Sequence, residues 1–311
     1  MIRRWIAWTT ALSTLACWVP ALAAPTTVTL TSTHRVVYQA DPDGDGEPQV
    51  FTLLLDRPTP EAVTEDVALN PVIARNGDIY YTRYITPIWG RITKVYHRRG
   101  LGAPEEPVTT NELGDEYDPG ISRDDQVLVF SSMRYFTPLI GPAQDVIDLI
   151  AYKQPFVEQR YLSRGIDEER NPAVDGSGKW TYATVTSDAN TSIWRFPFPE
   201  GSPERIAGLE NSKYTECSWP AVDGQNRWCA YASTRDGNSE IYVRDLVSKT
   251  EVRLTTEPGF DGEPAMTEDG TKIVFVSDRD GDKDLYAMNR DGSGLVQLTQ
   301  NDTTDDAPSV Q

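Results

Sequence analysis

Short runs of alternating apolar and polar residues, each closed by a polar turn, recur along this chain at a nearly constant stride. Six prolines mark it, Pro71, Pro119, Pro172, Pro220, Pro264 and Pro308, separated by 48, 53, 48, 44 and 44 residues. Ten or eleven residues after each of the first five stands an aromatic inside an apolar run: Tyr81, Phe130, Tyr182, Tyr231 and Phe275. The clearest copy runs from Glu263 to Thr299. There the alternation predicts strands over Pro264–Thr267, Lys272–Ser277, Asp284–Met288 and Leu295–Thr299, joined by turns at Asp269-Gly270, Asp280-Gly281 and Asp291-Gly292. Glycine follows aspartate in these turns because the tight backbone needs positive φ, which costs glycine nothing.

The other copies align with decreasing fidelity. Apolar third-strand positions line up as Tyr96, Ile150, Trp194, Tyr242 and Tyr286, and fourth strands end in Thr110, Ser163, Thr255 and Thr299, each nine residues before the next repeat proline. A repeat of this length with four short strands predicts an all-β fold, a six-bladed β-propeller. The sixth blade is expected to be shared between the two ends. Asp306–Gln311 reads as a first strand, and Arg35–Ala40 and Val50–Leu55 read as the second and third strands that complete it, with Tyr38 on the aromatic ladder. Such sharing leaves no open sheet edge.

The run Pro264-Ala265-Met266-Thr267-Glu268-Asp269-Gly270, followed by Ile273-Val274-Phe275-Val276-Ser277-Asp278-Arg279-Asp280-Gly281, resembles the repeat of the TolB-like propeller family. The resemblance spans about Arg35 to Gln311. It is strongest in the last two full repeats and weakest at Pro172, where Asp188-Ala189-Asn190 replaces the Arg-Asp-Gly turn. It implies a periplasmic protein of the cell envelope. The family's namesake carries an α/β domain ahead of its propeller, for which this sequence leaves no room. The TolA-binding role attributed to that part is therefore not expected here.

Met1–Ala23 reads as a secretory signal peptide, with Arg3-Arg4, an apolar stretch and an Ala21-Leu22-Ala23 cleavage site. Residues 24–311 then form a single propeller domain. Two other readings of the leader are less well matched: lipidation at Cys17 lacks a leucine three positions before it, and twin-arginine export has only the arginine pair. The net charge is −18, and −20 once the leader is removed. So acidic a chain disfavours nucleic acid and anionic membranes, and repeated Asp-Gly turns alone supply much of the charge. No stable membrane span is expected, and the protein is expected to be a monomer.

Candidate chemistry is sparse. His34 and His97 are the two histidines and no Gly-x-Ser-x-Gly elbow occurs, so no recognisable catalytic constellation is present and the chain is expected not to be an enzyme. Cys217 and Cys229 are candidates for a disulfide, although hairpin alignment places them about five residues of strand apart. Asp41, Asp43 and Asp45 open a D-x-D-x-D-G segment like that of a calcium loop, but Thr52 stands at the twelfth position, where a bidentate carboxylate is needed. The same segment also aligns with the ordinary acidic turn. No cofactor is otherwise implied.

A second, shorter repeat is more suggestive. Arg83-Tyr84-Ile85-Thr86-Pro87-Ile88-Trp89-Gly90 and Arg134-Tyr135-Phe136-Thr137-Pro138-Leu139-Ile140-Gly141 share R-Y-x-T-P-x-x-G between the second and third strands of adjacent blades. Apolar loops at a propeller rim form either a partner-binding patch or a plug packed over the channel. The patch reading makes Arg83, Tyr84, Trp89, Arg134, Tyr135 and Ile140 partner-binding residues, with another envelope protein as the partner. The runner-up is a propeller enzyme acting on acidic polysaccharide, a lyase or glycosidase. A third reading is a scaffold with no specific ligand.

Overall fold

A computed structural model describes residues 34–86, 90–109, 114–136, 144–155, 158–165, 167–187, 190–208 and 216–311. The leader Met1–Ala23 with Cys17, and Thr110, Trp89 and Ile140, lie outside the described residues. Six four-stranded antiparallel sheets stand in a ring, so the fold is the six-bladed β-propeller. Blade 1 is built from both ends of the chain. Its inner strand, Asp305–Val310, pairs with Arg35–Ala40, with Val36 opposite Val310, and Gln49–Leu54 and Arg57–Ala62 complete it. The outer strand Arg57–Ala62 has no counterpart in the sequence reading, because its two prolines and exposed side chains carry no apolar alternation.

Blades 2 to 6 follow in order, with inner strands Ala68–Ile73, Glu116–Ile121, Glu168–Val174, Cys217–Val222 and Asp261–Met266. Each inner strand lies next to the neighbouring blade's inner strand, and together they wall a central channel.

The repeat prolines have a backbone explanation. Every residue before one has positive φ: Asn70 at 49°, Asp118 at 49°, Asn171 at 52°, Trp219 at 52°, Glu263 at 50° and Ala307 at 47°. The pairing register of each inner strand shifts around the same dipeptide, which marks a β-bulge. Proline suits the bulge because it has no N–H to leave unpaired where the ladder breaks.

The aromatic ladder is the core of each blade. Tyr38, Tyr81, Phe130, Tyr182, Tyr231 and Phe275 are all at most 2% exposed, so each is expected to contribute about 3–5 kcal/mol against alanine. Across the hairpin they face Phe51, Tyr96, Ile150, Arg195, Tyr242 and Tyr286. In blade 4 the partner is thus Arg195 and not Trp194, one residue from the alignment. In blades 5 and 6 the arginine of the Arg-Asp-Gly turn folds back over this pair. Arg279 lies over the Phe275 and Tyr286 rings at 5.5 and 4.7 Å, while its Nε donates to Ser277 Oγ at 2.8 Å.

Hydroxyls ahead of five of the six repeat prolines also have a role. Thr64, Ser163, Thr255 and Thr299 accept the backbone N–H of Val50, Leu149, Ile241 and Leu285 at 2.9–3.0 Å, filling the ladder where the outer strand is too short to do so. In blade 2 the corresponding N–H, from Val95, goes to Glu116 at 3.0 Å, and the hydroxyl that joins it is Thr109, one residue before the expected Thr110.

Candidate functional site: the channel and the rim

Equivalent positions of the inner strands face one another around the channel, so the repeat converts sequence position into depth. At the level of the bulge stand Asn70, Asp118, Asn171, Trp219, Glu263 and Ala307, all partly exposed, with the prolines beneath them. Four residues past the prolines stand Arg75, Arg123, Gly176, Gly224 and Glu268. The open cavity that these residues line measures about 250 Å³.

The second level is bridged. Arg123 of blade 3 forms an ion pair with Glu268 of blade 6, three blades away and hence across the axis. Glycine makes the bridge fit: a Cβ at Gly224 would lie 2.7 Å from Glu268 Cγ and 3.4 Å from Arg123 Cδ. Burial, with Arg75 close by, pulls the Arg123 guanidinium down to about 10.

The ring of residues at the bulge level is joined by three hydrogen bonds between neighbouring blades. Asn70 Nδ2 donates to Asp118 Oδ1 at 2.7 Å, the Asn171 N–H to Asp118 Oδ2 at 3.4 Å, and the Ala307 N–H to Glu263 Oε2 at 2.8 Å. Arg170 lies 3.9 Å from Asp118, and Lys283 lies 3.5 Å from Glu263. Burial raises the Asp118 carboxyl above the usual range, Arg170 opposes this, and Glu263 across the channel adds to it.

Sequence reasoning missed this ring. Its one sequence signal is Asn-Pro or Asp-Pro in blades 2, 3 and 4, a turn-initiating pair that breaks a strand.

The rim residues are divided. Each second strand runs back from the Arg123–Glu268 level, so the hairpins leading to third strands lie on the opposite face of the ring. On the blade 2 hairpin Tyr84 is exposed, and the guanidinium of Arg91 stacks on its ring at 3.5 Å. Arg83 is engaged by Asp66 at 2.6 Å and by Glu105. Arg134 is engaged by the buried Asp148 and by the Gly165 carbonyl at 3.0 Å. Both arginines thus serve the blade's own packing. Trp89 and Ile140, and the side chain of Tyr135, fall outside the described residues.

The acidic segment Asp41 to Gly46 is a turn held by its own side chains. Asp41 accepts the N–H groups of Gly44 at 3.0 Å and Gly46 at 2.8 Å, and Asp45 accepts that of Glu47 at 2.8 Å. Carboxylate oxygens of Asp41, Asp43 and Asp45 do come within 4.8 Å of one another, as do those of Asp280, Asp282 and Asp284 at the equivalent turn of blade 6. Thr52 cannot serve as a twelfth ligand to the first group, because it is buried in the sheet and donates to the Val36 carbonyl at 2.9 Å.

Cys217 and Cys229 are both buried free thiols, which corrects the candidate disulfide. Cys217 faces Ser233 and Cys229 faces Val222, some five residues along one hairpin, on the order of 17 Å at strand rise. Burial pushes the Cys229 thiol up to about 12 and raises that of Cys217 as well, so neither is a ready nucleophile.

Neither histidine lines the channel. His97 stacks on Tyr80 at 4.6 Å with its Nε2 3.0 Å from Asp78, and the His34 carbonyl accepts the Leu55 N–H at 3.1 Å. Among the described residues no helix is long and apolar enough to cross a membrane.

Comparison with known proteins agrees with this architecture. Residues 209–311 match the family described as the TolB beta propeller domain. Among solved structures the chain resembles TolB from Acinetobacter baumannii at 15% identity and a TM-score of 0.73, over 90% of this chain and 67% of that one. It resembles a putative TolB from Agrobacterium tumefaciens at 18% identity and 0.61, over 86% and 89%. It also resembles an oligogalacturonate lyase in complex with manganese at 14% identity and 0.58, over 83% and 72%. At these identities the likeness is one of fold.

Proposed function

We propose that this chain, a TolB-like six-bladed propeller, is a non-catalytic periplasmic protein that binds another protein of the cell envelope through the rim of its blade 2 and blade 3 hairpins. The observation that carries this reading is the Tyr84–Arg91 stack. It sets a planar, amphipathic and locally basic anchor outward, where blades 5 and 6 carry inward-folded arginines behind acidic turns. Tyrosine and arginine are the residue types on which interface energy concentrates, and a basic anchor within a strongly acidic molecule orients a partner. The two binding tips of the motif, Trp89 and Ile140, belong to the same proposed patch.

The polysaccharide-acting reading has less support. Arg123–Glu268 bridges the channel, and the two histidines sit away from it. Capture from envelope extract by the protein lacking residues 1–23 tests the proposal. A protein partner retained at moderate salt by the wild type and lost by Tyr84→Ser with Arg91→Ser is expected; equal retention by the variant would contradict it.

A further inference from the structure

The bulge level of the channel has a chemistry of its own, independent of the rim. Going round the axis, the side chains are Ala307, Asn70, Asp118, Asn171, Trp219 and Glu263, one per blade. Opposite positions are three blades apart, so Trp219 faces Asn70, Asp118 faces Glu263, and Asn171 faces the small Ala307, which leaves space on that diameter.

One arc of this ring sets two donors between two acceptors. The Asn171 amide and the Trp219 indole N–H are partly exposed and take no hydrogen-bond partner among the described residues. On either side of them lie Asp118 and Glu263, acceptors that keep lone pairs beyond the bonds they already receive from Asn70, Asn171 and Ala307. The indole meets Phe260 edge-on at 5.9 Å and, with the ring of prolines, supplies apolar surface to a cavity of about 250 Å³.

We infer that the channel is a binding site for a neutral, hydroxyl-rich ligand of one or two sugar rings, with Trp219 as its apolar platform and Asp118, Asn171 and Glu263 as its hydrogen-bonding partners. A hydroxyl group donates and accepts, so neighbouring hydroxyls satisfy both the donors and the acceptors of this arc as no singly charged group does. An anionic ligand offers acceptors alone and meets two carboxylates. A cationic ligand offers donors alone and leaves the indole N–H unmatched. Arg170 and Lys283 already stand beside the two carboxylates, which reduces the demand for a cation from outside. The Arg123–Glu268 bridge gives the site a floor, so a short saccharide fits better than a threaded chain.

Titration calorimetry of the full chain with glucose, maltose and cellobiose, beside glucuronate and glucosamine as charged counterparts, tests this. A neutral sugar is expected to bind with Kd below about 10 mM and more tightly than either charged one. Trp219→Ala is expected to weaken it tenfold or more. Asn171→Gly removes the amide while keeping the positive φ of 52°, so it should weaken binding without disturbing the bulge, and it serves if the tryptophan variant misfolds. Tyr84→Ser should leave sugar binding unchanged. No neutral sugar bound by 10 mM, tighter binding of a charged one, or unaltered binding by Asn171→Gly would overturn the inference.

Discussion

The interface between blades 2 and 3 and the interface between blades 3 and 4 place a glutamate at the same point of the repeat, three residues before the proline, and treat it in opposite ways. Glu116 and Lys94 are each about 2% exposed and meet at 3.0 Å, with the Val95 N–H and Thr109 filling the remaining acceptor sites. Glu169, 4% exposed, forms no ion pair among the described residues and accepts from the Ser163 hydroxyl at 2.8 Å. The nearby Arg134 is bonded to Asp148 instead. One interface therefore holds a compensated charge, and the other is expected to hold a proton. Burial, reinforced by Asp148 and Asp167, pushes the Glu169 carboxyl up to about 8, against the opposing Ser163 hydrogen bond. The comparison teaches that position in a repeat fixes burial, while the chemistry of the site depends on which neighbour reaches it.

Breaking the compensated side should have the largest effect. Lys94→Met leaves Glu116 buried without its cation, and chemical denaturation at pH 7 is expected to show a loss of about 3–5 kcal/mol. Replacing both partners, as Lys94→Met with Glu116→Leu, should recover most of that loss, because the uncompensated charge is gone. A double variant as unstable as the single one would place the cost in packing and not in charge.

The uncompensated side should show itself through pH. A carboxyl whose folded pKa lies above its unfolded value favours the native state fully below the unfolded value, and that contribution is lost as pH rises through the folded one. For Glu169 the window runs from its ordinary 4.5 to about 8. Asp306, pushed up to about 7, and Asp284, to about 6, act with the same sign over lower windows. Unfolding midpoints should therefore fall between pH 5 and pH 9. Glu169→Gln should flatten the upper part of that fall, gaining about 1–3 kcal/mol at pH 9 and little at pH 5. An unchanged slope in the variant would mean that Glu169 is charged in the native state.

Much of the fold was legible because propeller blades repeat what the sequence can show: the proline stride, the ladder aromatics and the Asp-Gly turns are local features. The closing of blade 1 was legible for the same reason, since Asp306–Gln311 and Arg35–Ala40 are incomplete copies of one unit. What was not legible lies between copies. Lys94 and Glu116 are 22 residues apart on different blades, and Arg123 and Glu268 meet only through the ring's closure. The bulge ring escaped because its six members share a backbone conformation and no residue type. The R-Y-x-T-P-x-x-G pair was read as either a partner-binding patch or a plug; Arg83 and Arg134 are ion-paired to Asp66 and Asp148, while Tyr84 is exposed.

The central claim is that a protein partner engages the rim and leaves the channel ring free. Hydrogen–deuterium exchange of the chain alone and with its captured partner reads both regions in one measurement. Slowed exchange is predicted at residues 83–86 and 90–93, with Asn171, Trp219 and their neighbours unchanged. Protection confined to the inner strands, with the rim unaffected, would contradict the account.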